Sequence, residues 1–173
     1  MNSDNPLIRG IRSRRSVRQF KKDPVADEIL DQILESGLWA PSGKNNQPWK
    51  FAVIRDPATK ETLATFTHYS TVVNHAPVCI AVFLDHTRVY DRTKDVLAVG
   101  AAIQNMLLTI HALGLGGVWL GEILKNKDKV KELLGAEQDL ELMVVVALGY
   151  PSRKTSQSSL RDRLGDKVFL REP

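Results

Sequence analysis

The segment from Val96 to Gly121 constrains the fold of this 173-residue chain most strongly, because it contains no Asp, Glu, Lys or Arg. A membrane-spanning helix needs about 20 mostly apolar residues, so the segment must be tested as a span. Polar side chains interrupt it and glycines end its helical part early; these residues are Gln104, Asn105, Thr109 and His111, followed by Gly114, Gly116 and Gly117. We therefore predict no membrane span, but a helix over residues 94–113 that is buried on nearly all sides. A domain of this size hardly covers such a helix alone, so we expect a partner subunit around it.

The rest of the chain alternates between helical and strand patterns. We predict helices over 5–13, from Asp27 to near Trp39, over 57–68 and over 125–134, strands over 49–54, 78–84, 116–120 and 141–150, and a loop over 69–77. This alternation indicates a single α/β or α+β domain over residues 1–173, built on one sheet. The strand order does not follow from the pattern.

The charge is distributed unevenly along the chain, and the chain has a single cysteine. The net charge is +4, but residues 1–22 carry +6 and residues 151–173 carry +3, so the intervening body carries −5. The single cysteine, Cys79, lies in an apolar run and excludes an intrachain disulfide. The lack of an intrachain disulfide fits a cytoplasmic protein, because the cytoplasm is reducing.

An arginine-rich stretch, RSRRSVRQF at 12–20, is the first candidate binding motif. Arg14, Arg15 and Arg18 flank Ser16. Guanidinium groups bind phosphate oxygens through paired hydrogen bonds, and a serine hydroxyl completes such a site. Two alternatives remain open, a solvated basic arm and a nucleic-acid patch. The second is disfavoured because Phe20 is the only aromatic residue in the stretch that could stack on a base.

A loop rich in amides, APSGKNNQPWKF at 40–51, joins the second predicted helix to the first strand. A helix-to-strand connection needs only about two to six residues and no particular amides. This loop nevertheless places Ser42, Asn45, Asn46 and Gln47 close together. Loops held by rigid elements often carry ligand contacts, so we predict that this one contacts a ligand.

Several common kinds of site are excluded. The glycines at 114–117 follow a helix and precede a strand, which is the reverse of the order in a dinucleotide-binding fingerprint. The four histidines lack ligand spacing, so no metal site is predicted. No phosphate-binding P-loop and no nucleophile elbow are present. The remaining donors, with no evident acid, base or nucleophile, fit a bound cofactor that carries the chemistry itself, and FMN suits them.

Four segments, in this order, resemble the FMN-dependent nitroreductase family. They are RRSVRQF at 14–20, APSGKNNQPWKF at 40–51, GAAIQNMLLTIHALGLGGVWLGE at 100–122 and VVALGYP at 145–151. The resemblance implies an α+β fold with a central mixed sheet flanked by helices and a long central helix at a homodimer interface. It also implies two FMN sites between the subunits, NADH or NADPH as the electron donor, and a ping-pong cycle that reduces nitroaromatics or quinones. No catalytic side chain is assigned.

The resemblance also assigns cofactor contacts residue by residue. One subunit is expected to contribute its arginine-rich stretch, and its twin the amide loop. The backbone after the glycines is expected to pass the flavin, with the N–H of Gly121 directed at the flavin N5. The expected contacts are Arg14, Arg15, Ser16, Arg18, Pro41, Ser42, Asn45, Gln47, Trp119, Leu120 and Gly121, with Arg161 from the tail.

The tail, residues 151–173, departs from the family pattern and is expected to wrap around the partner subunit. Arg161 stands at the expected arginine position, but Ser159 stands where the family has a lysine. The residues that could replace that lysine at the phosphate are Arg153, Lys154 and Arg163. Two further functions stay open on the same scaffold. One is a flavoenzyme with a dedicated substrate, in dehalogenation, flavin or azoline chemistry, and the other is a non-enzymatic FMN-binding or redox-sensing protein.

Overall fold

The computed structural model describes residues 5–153 and 160–172. Its elements follow the predicted alternation closely. The helices are α1 (Pro6–Ser13), α2 (Asp27–Leu38), α3 (Pro57–Ala64), α4 (Ser70–His75), α5 (Arg92–Ala112) and α6 (Lys127–Leu133). The strands are β1 (Trp49–Ile54), β2 (Val78–Asp85), β3 (Gly116–Leu120) and β4 (Leu140–Gly149). Short 3₁₀ turns lie at Gly43–Asn45, Glu122–Asn126 and Leu164–Asp166.

The four strands form one sheet in the order β1-β2-β4-β3. The two central strands are apolar runs, and every residue of β2 is buried, as expected for strands covered on both faces. The fold class is confirmed as α+β. All three strand pairings are antiparallel, so the expected mixed character is limited to an isolated parallel bridge between Ser16 and Gly117.

Side chains of the central strands alternate between two cores, because successive residues of a strand point to opposite faces. Ile80 and Val82 of β2 pack on one face with α2 and α5. Cys79 and Ala81 pack on the other face with α3, α4 and α6. The sheet is therefore covered by helices on both sides.

The long helix α5 is buried along one face only. Ala102, Ile103 and Met106 are fully buried, whereas Leu97 is 69% exposed. In the single chain α2 and the sheet cover only one face of α5, so the predicted burial on nearly all sides depends on a partner subunit. Within the described residues, α5 is the helix with the length and composition to cross a membrane; its apolar face packs into the core of this fold.

Helix α4 occupies residues that were predicted as a loop, and α3 ends at Ala64 rather than at residue 68. Helix α4 has only six residues, too few to show a helical period in the sequence. Its Val72 and Val73 are buried against the sheet, so tertiary packing supports a helix whose β-branched residues do not favour one.

The arm at residues 14–24 runs along the end of the sheet. The Val17 N–H donates to the Gly117 carbonyl at 3.1 Å, and the Lys21 N–H donates to the Tyr150 carbonyl at 2.8 Å. Val17 is buried, and a Cβ at residue 116 would lie 2.5 Å from the Val17 Cβ. Glycine at 116 therefore permits the close approach that brings the arginine-rich stretch to the start of β3.

Candidate functional site

A cavity of about 550 Å³ lies where the arm, the C-terminal end of α5 and the chain after β4 meet. None of the described residues that line it is Asp or Glu. Its lining consists of Arg14, Arg15, Val17, Lys21, Leu107, His111, Gly114, Leu115, Gly117, Tyr150, Pro151, Ser152 and Arg153. Four of these side chains are cationic at neutral pH, namely Arg14, Arg15, Lys21 and Arg153. Because no acid among the described lining offsets them, the cavity suits an anion such as a phosphate group.

The basic side chains of this cavity lie close enough together to influence one another's pKa. Burial, followed by the charges of Arg161 and Arg15, lowers the pKa of Arg14. Burial, and then Arg14 and Arg15, also lowers the pKa of His111, whose Nε2 lies 2.7 Å from the Ser13 Oγ. Assembling like charges is unfavourable in the protein alone, and a bound anion removes that repulsion. Arg161 of the tail therefore lies close enough to Arg14 for its charge to affect the pKa of Arg14.

The four candidates of the arm have different surroundings. Arg14 and Arg15 line the cavity, and the Arg15 Nη1 also donates to the carbonyls of Arg12 and Arg14, at 2.6 and 2.8 Å. Ser16 forms the bridge to Gly117, and both Ser16 and Arg18 are exposed outside the cavity lining. Of the tail candidates, Arg153 lines the cavity and Arg163 is exposed, whereas Lys154 lies outside the described residues.

The amide loop has a strained backbone. Lys44, Asn45 and Gln47 have φ values of 56°, 54° and 46°, a left-handed conformation that L-residues adopt at a cost of about 1–3 kcal/mol each. The Ser42 Oγ accepts a hydrogen bond from the Gln47 N–H at 3.0 Å, which closes the loop. Strain of this kind persists only where the surroundings hold it, and it is common in loops that bind ligands.

Asn46 supplies the anchor for this loop. Its Nδ2 donates to the Asp95 Oδ1 at 2.7 Å and to the Arg88 carbonyl at 2.9 Å. Asp95 is fully buried in the first turn of α5 and also accepts the N–H groups of Tyr90 and Asp91. Burial favours the neutral acid, but the hydrogen bonds from Asn46 and these two N–H groups leave the pKa of Asp95 below its ordinary value.

Beside the loop lies a second pocket of about 270 Å³, lined by Pro41, Ser42, Gly43, Lys94, Leu97, Ala98 and Ala101. It lies on the side of α5 that the chain leaves exposed at Leu97. Asn45 is exposed, and Gln47 is half-buried with its Nε2 3.4 Å from the Asn45 carbonyl. The linings of the two cavities share no residue. One chain therefore does not combine the arm and the loop in a single cavity.

The backbone after the glycines forms the edge of the sheet. Gly117 gives its carbonyl to Val17 on the side away from β4, and strand alternation turns the N–H group of Trp119 to that same side. Gly121 follows directly after β3 and begins the next turn. The Trp119 side chain is 44% exposed, whereas Leu120 is buried in the core. Leu120 can therefore contribute only backbone to a ligand.

Glu122, which the sequence analysis did not single out, fixes the turn that follows Gly121. Its Oε2 accepts the Thr67 hydroxyl at 2.7 Å and the His68 N–H at 3.0 Å, and its carboxylate pairs with Lys125. The hydrogen bond from Lys125, and then that from Thr67, lower the pKa of Glu122 to about 2. The turn is thereby tied to the connection between α3 and α4.

Comparison with known proteins places this geometry in a family. A sequence model described as the nitroreductase family matches residues 11–70 and 66–150. A protein of Archaeoglobus fulgidus, named as an NADH dehydrogenase/NAD(P)H nitroreductase, is 31% identical over 95% of this chain and 97% of its own length.

Two solved structures are similar over nearly the whole chain. One, described as a nitroreductase in complex with FMN from Desulfovibrio desulfuricans, has a TM-score of 0.92 and 42% identity over 98% of each chain. The other, the NADPH:FMN oxidoreductase of Vibrio harveyi complexed with NAD⁺, has a TM-score of 0.85 and 27% identity over 97% of this chain and 77% of that one. The chain belongs to the nitroreductase family, as its motifs indicated.

Proposed function

We propose that the protein is a soluble cytoplasmic FMN-dependent oxidoreductase that uses NADH or NADPH to reduce electron-poor acceptors such as nitroaromatics and quinones. The observation that carries this proposal is the cavity of about 550 Å³ into which Arg14, Arg15 and Arg153 bring positive charge without an acid in its described lining. Cationic side chains and polar backbone are the donors that FMN requires. The chemistry supplied by FMN, when bound, is hydride acceptance from a reduced nicotinamide and electron delivery to the acceptor.

The arm supplies the groups that hold the cofactor's negative charge. Arg14 and Arg15 line the cavity, and Arg161 lies close enough to Arg14 to lower its pKa. These guanidinium groups are assigned to the phosphate, with the Ser16 hydroxyl as a further donor. Arg18, or Arg14 if its guanidinium is not engaged by the phosphate, would stabilise the negative charge of a reduced flavin, since a fixed cation needs no reorganisation when that charge develops.

The protein functions as a homodimer in which each subunit completes its partner's site. This assignment is supported by the uncovered face of α5 around Leu97 and by the pocket at Pro41 and Ser42 on the same side. Pro41, Ser42, Asn45 and Gln47 then contact the partner's cofactor, which gives the strained loop a function. Symmetric dimers are the commonest protein oligomers.

The tail adds to this interface. Phe169 is fully exposed in the single chain, and Leu160, Leu164 and Leu170 are also largely exposed. Apolar residues this accessible need a covering surface, and a tail that wraps around the partner subunit provides it. In this arrangement Arg161 contributes to the basic cavity.

Backbone groups rather than catalytic side chains position the flavin ring. The N–H of Gly121 is assigned to the flavin N5, with Trp119 and Leu120 passing along the ring. This assignment rests on the outward direction of the backbone at the edge of β3 and on the Glu122 contacts that hold the turn. A flavin held in this way would be reached by the donor and the acceptor in turn, which is a ping-pong cycle.

Purification followed by anaerobic titration tests this function. The protein is expected to be yellow, to bleach with NADH or NADPH, and to regain its colour when a quinone or nitroaromatic is added. Arg14→Ala combined with Ser16→Ala should release FMN, whereas Lys129→Gln, an exposed position on α6, should retain it. A colourless monomer that takes up no FMN on soaking would contradict the proposal.

A further inference from the structure

A second concentration of positive charge lies beside the amide loop, away from the basic cavity. The Lys44 Nζ lies 4.9 Å from the centroid of the Tyr90 ring, and the Lys94 Nζ lies 5.3 Å from the same centroid. Both ammonium groups thus lie within about 6 Å of the centroid of one aromatic ring, the range of a cation–π interaction. We call Lys44, Tyr90 and Lys94 the lysine–tyrosine clamp.

The position of the clamp is fixed by the loop. A Cβ at residue 43 would lie 1.9 Å from the Tyr90 Oη, so only glycine allows the ring to rest against the loop backbone. Lys44 is held next to it in a left-handed conformation, with φ 56°. Lys94 lines the pocket beside Ser42 and Gly43. The clamp is therefore built into the rim of the loop's pocket.

The charge of the clamp is only partly balanced. Lys94 has the Asp91 carboxylate at 4.0 Å, whereas the described residues give Lys44 no ion pair. The ring attracts each ammonium only weakly at an exposed site such as this one. Holding two like charges on one ring opposes part of that gain, and an anion between or beside them removes the repulsion. The favoured ligand chemistry is a phosphoryl group.

We propose that the lysine–tyrosine clamp binds a phosphate of the nicotinamide dinucleotide donor while its nicotinamide lies on the flavin. This inference rests on the proposed function, in which the loop borders the partner's cofactor. The cofactor's own phosphate is already assigned to the basic cavity, whose lining is separate from the loop's pocket. The donor brings a pyrophosphate and, in NADPH, a 2′-phosphate as well.

Stopped-flow reduction of the holoenzyme, with NADPH and NADH in separate series, tests the clamp. Lys44→Gln and Lys94→Gln should each raise the donor concentration for half-maximal reduction about two- to fivefold, as expected for loss of a solvent-exposed ion pair. The limiting rate and the FMN content should stay unchanged. Lys129→Gln is the matched control, because its Nζ lies over another ring, that of Phe66, at 6.0 Å.

The two donors distinguish the two phosphates. An increase confined to NADPH assigns the clamp to the 2′-phosphate, and an equal increase for both assigns it to the pyrophosphate. Equilibrium titration of the oxidised holoenzyme with NADP⁺ and NAD⁺, followed by the flavin absorbance, should show the same pattern without turnover. Unchanged half-saturation for both donors in a variant that combines Lys44→Gln with Lys94→Gln would overturn the proposal.

Failure of the proposed function gives a different result. A wild-type protein that binds no FMN, or whose FMN neither donor reduces, removes the basis of both proposals before any variant is compared. A wild type that is reduced normally, with lysine variants that match it, overturns the clamp alone. Tyr90→Phe should resemble the wild type, because the ring and both lysines remain, whereas Tyr90→Ala should weaken donor binding.

Discussion

The side-chain amide of Asn46 donates a 2.7 Å hydrogen bond to the carboxylate of Asp95 and thereby joins the strained loop to the first turn of α5. Asn46→Ala should lower the free energy of unfolding by about 1–3 kcal/mol, because a buried carboxylate loses one of its partners. Urea unfolding of the purified protein measures this change. Asp95→Asn should be at least as damaging, since it places an amide N–H₂ or a weaker acceptor against groups that all donate.

The control for this prediction is Asn74→Ala, on the exposed side of α4. This variant removes an amide side chain of the same kind from an exposed position, and it should change the unfolding free energy by less than about 0.5 kcal/mol. Equal stability of the Asn46 and Asn74 variants would show that the bond to Asp95 does not support the fold.

Arg14 should determine the preference of the apoprotein for FMN over riboflavin, which lacks the phosphate. Arg14→Gln removes a guanidinium whose pKa is lowered by burial and then by the charges of Arg161 and Arg15. The substitution should lower FMN affinity about 10- to 100-fold, the equivalent of one or two charge-assisted hydrogen bonds. Riboflavin affinity should change little. Fluorescence titration of apoprotein with each flavin measures both constants, and a parallel loss for the two would argue against a phosphate contact.

Leu97 should lie in the dimer interface, since it is 69% exposed in the single chain and lines the pocket beside the loop. Leu97→Glu would bury a charge between the two copies of α5 and should shift the protein toward a monomer with less bound FMN. Light scattering coupled to size exclusion measures the mass. Val53→Glu, at an exposed position of β1, should leave the wild-type mass, and a fully dimeric Leu97 variant would place the interface elsewhere.

The sequence was sufficient to predict the sheet's strands and the long helix because their signals are local. The apolar run of β2 and the uncharged stretch of α5 each specify an element without reference to the rest of the chain. Helix α4 was missed because its stability comes from the burial of Val72 and Val73 rather than from a helical period. The antiparallel pairing also depends on contacts between distant segments, which no local pattern reports.

The candidate site was predictable in part. The arginines of the arm and the amides of the loop were visible as unusual residue clusters, and the structure places Arg14 and Arg15 in one cavity. The residues that hold the site were not visible, because their partners are remote in sequence. No local pattern distinguishes Asp95 or Glu122 from other acids, because their partners Asn46 and Thr67 lie 49 and 55 residues away along the chain.

Glu122 should make the stability of the protein depend on acid pH. Its pKa falls from an ordinary 4.5 to about 2 in the folded protein, so folding favours the carboxylate. The stabilisation is fully present above pH 4.5 and is lost as the pH falls toward 2, because the unfolded chain binds the proton first. Glu122→Gln should therefore melt at a lower temperature than the wild type near neutrality, and the difference should shrink steadily between pH 4.5 and 2. Thermal unfolding across this range measures the difference in melting temperature between the two proteins, which separates Glu122 from the other carboxylates.

The control is Glu132→Gln, which removes an equal charge from an exposed position of α6. Its melting temperature should depend on pH as that of the wild type does. If the melting temperature of the Glu122 variant followed the wild type in the same way, the contacts with Thr67, His68 and Lys125 would not favour the ionised acid.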